Sequence, residues 1–280
     1  MSCCPQDAHG QLPEAPSEGR EVVLNGVPTY CTGSGVCCIV VGHDIFGTNS
    51  GRTKSIADEL ARRLGVQVAI PSFFEGGVVG GAAANEAVLR VLEPPPTERW
   101  YTAPGRLLDA LWHARAFLGG FRAANWPTVR PLLLDKVLPG LRARGAQRFG
   151  LLGYCWGGWL ALHASAEPEF VCAASCHPAV NACALYGEKE QDLYDGVRCV
   201  QLHLVSAEDE DKSIQPGAAA QTTWLAKPFG ADCRIEAFAQ KHGWVNRGSL
   251  DDPSLKRDYE ACVELLYAFF AKHLVAHDAK

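Results

Sequence analysis

The segment Gly150-Leu-Leu-Gly-Tyr-Cys-Trp-Gly-Gly158 holds the residue best suited to covalent chemistry. Cys155 has Gly153 two positions before it and Gly157 and Gly158 two and three after it. An apolar, strand-like run precedes it at 148–154, and a helical pattern follows at 157–166. This is the spacing of a nucleophile elbow, with cysteine in place of serine. A nucleophile on so sharp a strand-to-helix turn has strained dihedrals, and neighbours without Cβ let strand and helix close around it. The helix N-terminus favours thiolate over thiol, and the Trp156 N–H can face a developing oxyanion. The competing reading is a buried cysteine beside a Gly-rich βα turn. A dinucleotide loop would instead place Gly-x-Gly-x-x-Gly after the first strand. The first βα junction here reads Gly42-His43-Asp44-Ile45-Phe46-Gly47, which does not match.

An elbow nucleophile needs an acid and then a base further along the chain. Six histidines follow Cys155. His163 falls in the helix after the elbow, His203 inside a strand, and His273 and His277 at the end of the last helix. His242 lies after the last strand, in a loop ahead of the final helix, and is the expected base. The preceding strand runs into Ser206-Ala207-Glu208-Asp209-Glu210-Asp211. Asp209, in the first turn after the strand, is the expected acid, with Asp211 as alternative. Asp44 follows the strand at 36–42, in the loop whose Ile45 or a neighbour would supply a second oxyanion N–H. A plain turn or capping residue is the alternative for Asp44.

Those side chains need a frame. Apolar, β-rich runs at 36–42, 66–71, 148–154, 171–176, 199–205 and 233–239 alternate with helical patterns near 50–64, 105–122, 131–144, 157–166, 215–227 and 254–274. Strands this continuously apolar belong in a sheet covered on both faces, mostly parallel. Residues 21–31 suggest a leading antiparallel hairpin, and 1–20 a loosely ordered arm. One domain is expected over 21–280. The stretch 75–103, with four glycines and Pro94-Pro95-Pro96, reads as a lid, an insertion or a linker.

Composition narrows the partners. The 280-residue chain has a formal charge of −5 and no Lys/Arg block, which argues against nucleic acid. No apolar run is long enough to span a membrane, and the first residues do not read as a secretory signal. Most of the twelve cysteines fall in apolar runs, as buried free thiols would. A reducing, cytoplasmic setting fits best. Cys172, Cys176 and His177 lack a second ligand pair at zinc-finger spacing, so no metal is assigned.

Gly-Tyr-Cys-Trp-Gly-Gly (153–158), Asp-Ile-Phe-Gly (44–47) and His-Gly-Trp-Val-Asn-Arg-Gly (242–248) together resemble the dienelactone hydrolase family, also called carboxymethylenebutenolidase-like. The resemblance runs over about 21–275, and Ser-Cys-Cys-Pro, Gly51-Arg52-Thr53 and Pro71-Ser72-Phe73-Phe74 look like a eukaryotic branch of it. It implies a single α/β-hydrolase domain cleaving esters or lactones with a Cys-His-Asp triad and no cofactor. By position it makes Cys155 the nucleophile, Asp209 the acid, His242 the base, and the N–H groups of Ile45 and Trp156 the oxyanion donors. Family members carry a thiol-gating Glu where Asp44 stands, and Arg247 matches an arginine proposed to hold a substrate carboxylate. The expectation is a monomeric or weakly dimeric enzyme acting on a small ester or lactone through a thioester. A thioesterase, or a non-catalytic, redox-responsive protein on the same fold, is the rival.

Overall fold

Alternating side chains in the central strands supply two apolar faces, and each needs its own layer of helices. In the computed structural model, which describes residues 9, 13–74, 77–81, 83–84, 86–87, 103–209 and 211–276, that is the arrangement. Eight strands are β1 Arg20–Leu24, β2 Val27–Gly33, β3 Cys37–Gly42, β4 Gln67–Pro71, β5 Arg148–Tyr154, β6 Phe170–Cys176, β7 Val200–Ser206 and β8 Arg234–Phe238. They form one sheet in the order β1-β2-β4-β3-β5-β6-β7-β8. The β1–β2 and β2–β4 pairings are antiparallel, and every later pairing is parallel. This is the expected α/β-hydrolase architecture, with the leading hairpin at one edge.

On β3, Cys37, Ile39 and Val41 face one core, together with Ile56 and Leu60 of α1 (Thr53–Leu64) and Leu266 and Phe270 of the last long helix. Cys38 and Val40 face the other, with Val129, Leu133, Trp159 and Trp224. The remaining helices are α2 Ala103–Ala123, α3 Trp126–Pro131, α4 Leu138–Ala143, α5 Trp156–Ala164, α6 Glu190–Gly196, α7 Ala219–Leu225, α8 Trp244–Arg247 and α9 Pro253–Phe270. None of the described helices is long and apolar enough to cross a membrane.

Three details differ from the sequence expectation. The helix expected from 131 begins at Trp126, because Asn125 caps it by accepting from the Thr128 N–H at 3.0 Å, and a π turn over Leu132–Val137 joins α3 to α4. The segment after β6 carries a 3₁₀ turn, Val180–Tyr186, and the short α6, neither long enough to show a period. The described part of the N-terminal arm is tied down rather than loose. Ala15 N–H donates to Gly51 O at 2.9 Å, Lys54 meets Glu14 at 2.9 Å, and Glu18 N–H donates to Asp58 at 2.7 Å. Most of the 75–103 stretch lies outside the described residues.

His203 is buried in β7 between Ser175 (2.5 Å) and Gln201 (3.1 Å), and burial pushes its pKa down to about 3. An unfolded histidine titrates near 6.5, so between pH 6.5 and 3 only the unfolded state takes up this proton. Stability should therefore fall with acidification by about 1.4 kcal/mol per pH unit from this group. Urea unfolding at pH 7 and pH 5 checks it: the difference should shrink in His203→Gln, and an unchanged difference would contradict the assignment.

Candidate active site

The parallel strands β3, β5, β6, β7 and β8 all end on the same edge of the sheet, so the residues following them gather there. β5 ends at Tyr154 and α5 begins at Trp156, which leaves Cys155 alone to make the turn. It does so at φ 54° and ψ −115°, a conformation that costs an L-residue on the order of 1–3 kcal/mol. Three hydrogen bonds hold it: Cys155 N–H to Cys176 O (3.3 Å), and Gly158 and Ala179 N–H to Cys155 O (2.8 and 2.9 Å). The glycine spacing has a direct cause. A Cβ on Gly153 would overlap the Gly157 carbonyl, one on Gly157 would overlap Gly42 O, and one on Gly158 would overlap Pro178. As the first residue of α5, Trp156 has a backbone N–H with no intrahelical acceptor.

His242 follows β8 and turns back over the edge. Its Nδ1 lies 3.1 Å from Asp209 Oδ2, and both side chains are buried. Its ring packs edge-on against His177 at 4.9 Å between centroids. His177 follows β6, has φ 39°, and also packs on Tyr154, the residue before the nucleophile. Asp211 serves elsewhere: it accepts from the N–H groups of Asn181 (3.0 Å) and Ser213 (3.2 Å) and from Ser213 Oγ (2.7 Å). Burial raises the pKa of that carboxyl.

Asp44 ends β3's extension and is enclosed. Oδ1 accepts from Phe46 N–H (2.9 Å), while Oδ2 accepts from Ser50 Oγ (2.7 Å) and Asn246 Nδ2 (2.9 Å). Arg247 Nε completes the set at 3.2 Å from Oδ2. The carboxylate thereby fixes the turn that carries Ile45, and Ile45 O in turn accepts from Val79 N–H at 3.2 Å. Arg247, expected to meet a substrate carboxylate, is instead buried against Asp44, lies 4.7 Å over the Phe46 ring, and donates to the carbonyl of His9. A buried guanidinium has far more to gain from a resident carboxylate than from waiting unpaired for a ligand. Replacing Arg247 by methionine, which leaves Asp44 buried without its countercharge, should cost about 3–5 kcal/mol of stability. Chemical denaturation would show it, and a loss below about 1 kcal/mol would argue that the pair is not held in solution.

Several contributors carry no sequence signal. Arg52 donates to Val245 O (3.0 Å), Trp244 O (3.4 Å) and Gly248 O, capping the short helix that follows His242. His9 N–H donates to His242 O at 2.8 Å, so the arm lies against the base. Asn246, in the short helix α8, and Ser50, in the loop before α1, meet Asp44 with no period linking them. His43, next to Asp44, is buried in a fixed tautomer: Nε2 accepts from Phe73 N–H (3.1 Å) and Nδ1 faces Asp44 O (2.7 Å). Burial lowers its pKa, and its ring stacks on Trp156 at 5.8 Å. Cys176 lies beside Cys262, with sulfurs 3.8 Å apart. Among the described residues, no three His, Cys, Asp or Glu side chains gather as a metal site.

The chain is 28% identical over 280 residues to an uncharacterised AIM2 family protein of Schizosaccharomyces pombe, covering 96% of this chain and 98% of that one. It is 26% identical to a carboxymethylenebutenolidase homolog of Mus musculus, over 91% of each chain. Among solved structures, the acylaminoacyl peptidase of Pyrococcus horikoshii shares the fold, with a TM-score of 0.54 at 16% identity. That match covers 98% of this chain but 44% of the peptidase, so this chain spans less than half the peptidase's length. The sequence profile of the dienelactone hydrolase family matches residues 27–273. The elbow, the sheet and that match over most of the chain together assign it: the chain belongs to the dienelactone hydrolase family.

Proposed function

We propose that this ester and lactone hydrolase works through Cys155 as nucleophile and a thioester acyl-enzyme. The observation that carries the reading is the strained elbow conformation of Cys155, on the same sheet edge as the His242–Asp209 pair. A fold tolerates such strain where it serves a site. His242 takes the Cys155 proton, and the thiolate sulfur bonds to the carbonyl carbon of the ester or lactone. The Ile45 and Trp156 N–H groups stabilise the oxyanion, the largest single term in most acyl transfers. The carbon–oxygen bond then breaks, and His242 returns the proton to the departing alkoxide. For deacylation His242 takes a proton from water, the hydroxide displaces sulfur, and acid is released with the thiol restored. Asp209 holds the His242 tautomer and offsets the imidazolium charge.

Asp44 contributes by fixing the Ile45 turn and, through Arg247, by setting the charge near the thiol. The experiment is rapid acid quenching during turnover of an activated ester, followed by peptide mass spectrometry. An acyl group on the peptide containing Cys155 is expected. Steady turnover with acyl label on another residue would defeat the proposal.

A further inference from the structure

Arg247 is buried with its Nε 3.2 Å from Asp44 Oδ2, so among the described residues it faces a resident carboxylate. The space beside the site has a different character. A cavity of about 1160 Å³ is lined by Phe73 and Phe74, by Val27, Pro28, Leu132, Gly119 and Ala123, and by the polar Thr48, Asn49, Ser72 and Thr128 among the described residues. That volume exceeds the roughly 300–1,000 Å³ of typical ligand pockets. Phe74 is the partition. Its ring lies 4.7 Å from the Trp156 ring and 4.8 Å from that of His43, so one aromatic ring separates the cavity from the residue after Cys155. Among the described lining residues Lys54 is the one cation, and its ammonium is already held by Glu14 (2.9 Å) and Glu21 (2.7 Å).

We infer that this cavity receives the apolar acyl chain of an uncharged ester, with Phe74 at its entrance from the nucleophile side. Its apolar lining can desolvate methylene groups, while its one described cation is already paired and leaves a carboxylate only neutral hydroxyl and amide partners among the described residues. The inference rests on the hydrolase reading for its turnover test, and a binding measurement keeps the two separable.

The test compares kcat/KM for 4-nitrophenyl acetate, butyrate, octanoate and hemisuccinate in the wild type and in Gly119→Phe. A Cβ at Gly119 meets no heavy atom within 4 Å, so the ring projects into open space. Ala123→Phe is a second filling variant, and both are checked by thermal melting. In the wild type, octanoate should exceed acetate by at least about tenfold, since each sequestered methylene is worth about fourfold. Hemisuccinate should fall below butyrate, and the octanoate-to-acetate ratio should drop at least tenfold in the filled variants. A wild-type preference for acetate or hemisuccinate, or a ratio unchanged in both folded variants, overturns the inference.

In parallel, binding of the non-hydrolysed N-(4-nitrophenyl)octanamide is measured by calorimetry. Binding to the wild type that weakens in the filled variants supports the cavity even if no ester is turned over, in which case the hydrolase reading alone fails. No binding at about 1 mM overturns the cavity assignment.

Discussion

Cys155→Ala is expected to lower kcat/KM for an activated ester by about 10⁴-fold or more, because loss of a covalent nucleophile removes the pathway rather than weakening it. The sulfur is fully buried at the elbow, and the backbone there already adopts φ 54°. Alanine removes one atom and keeps the turn, so the fold should survive with a small change in melting temperature. That separation matters, since a variant that melts normally and has lost turnover isolates the chemistry. Activity within about tenfold of wild type would mean that another group attacks the carbonyl.

Asp209→Asn should lower kcat by about 10³–10⁴-fold, the cost of presenting the base in the wrong tautomer. Its Oδ2 is 3.1 Å from His242 Nδ1, and an amide there can donate where the carboxylate only accepts. The matched control is Asp211→Asn. That carboxylate accepts from Asn181 and Ser213, so its loss should weaken the loop after β7 and leave kcat within about threefold, with a lower melting temperature. The two variants measured side by side on one ester decide between the acids: a larger loss of kcat in Asp211→Asn would reverse the assignment.

Much of the frame was legible because it depends on local pattern. Continuous apolar runs in the central strands, separated by helices with a 3.6-residue period, can bury their surface in few ways, and a covered parallel sheet is one of them. Gly153, Gly157 and Gly158 marked the elbow because each sits where any side chain would strike backbone or Pro178. Those constraints lie within a few residues of one another, so a sequence carries them openly. The early helix start at Trp126 was hidden because Asn125 and the π turn act through single hydrogen bonds rather than through periodicity.

A hydrolase-type sheet, Cys155 as its candidate nucleophile and the chain order in which acid and base follow can all be read from the residue pattern. How the charged groups are shared out depends on packing between distant segments. Four carboxylates follow β7 within a few residues, and which of them faces His242 depends on how that loop folds against β8. Asp44 and Arg247 stand more than two hundred residues apart, yet the fold buries them side by side, with Arg247 Nε 3.2 Å from Asp44 Oδ2. Charge pairing between distant segments is set by three-dimensional proximity and desolvation, and neither leaves a periodic trace in the chain.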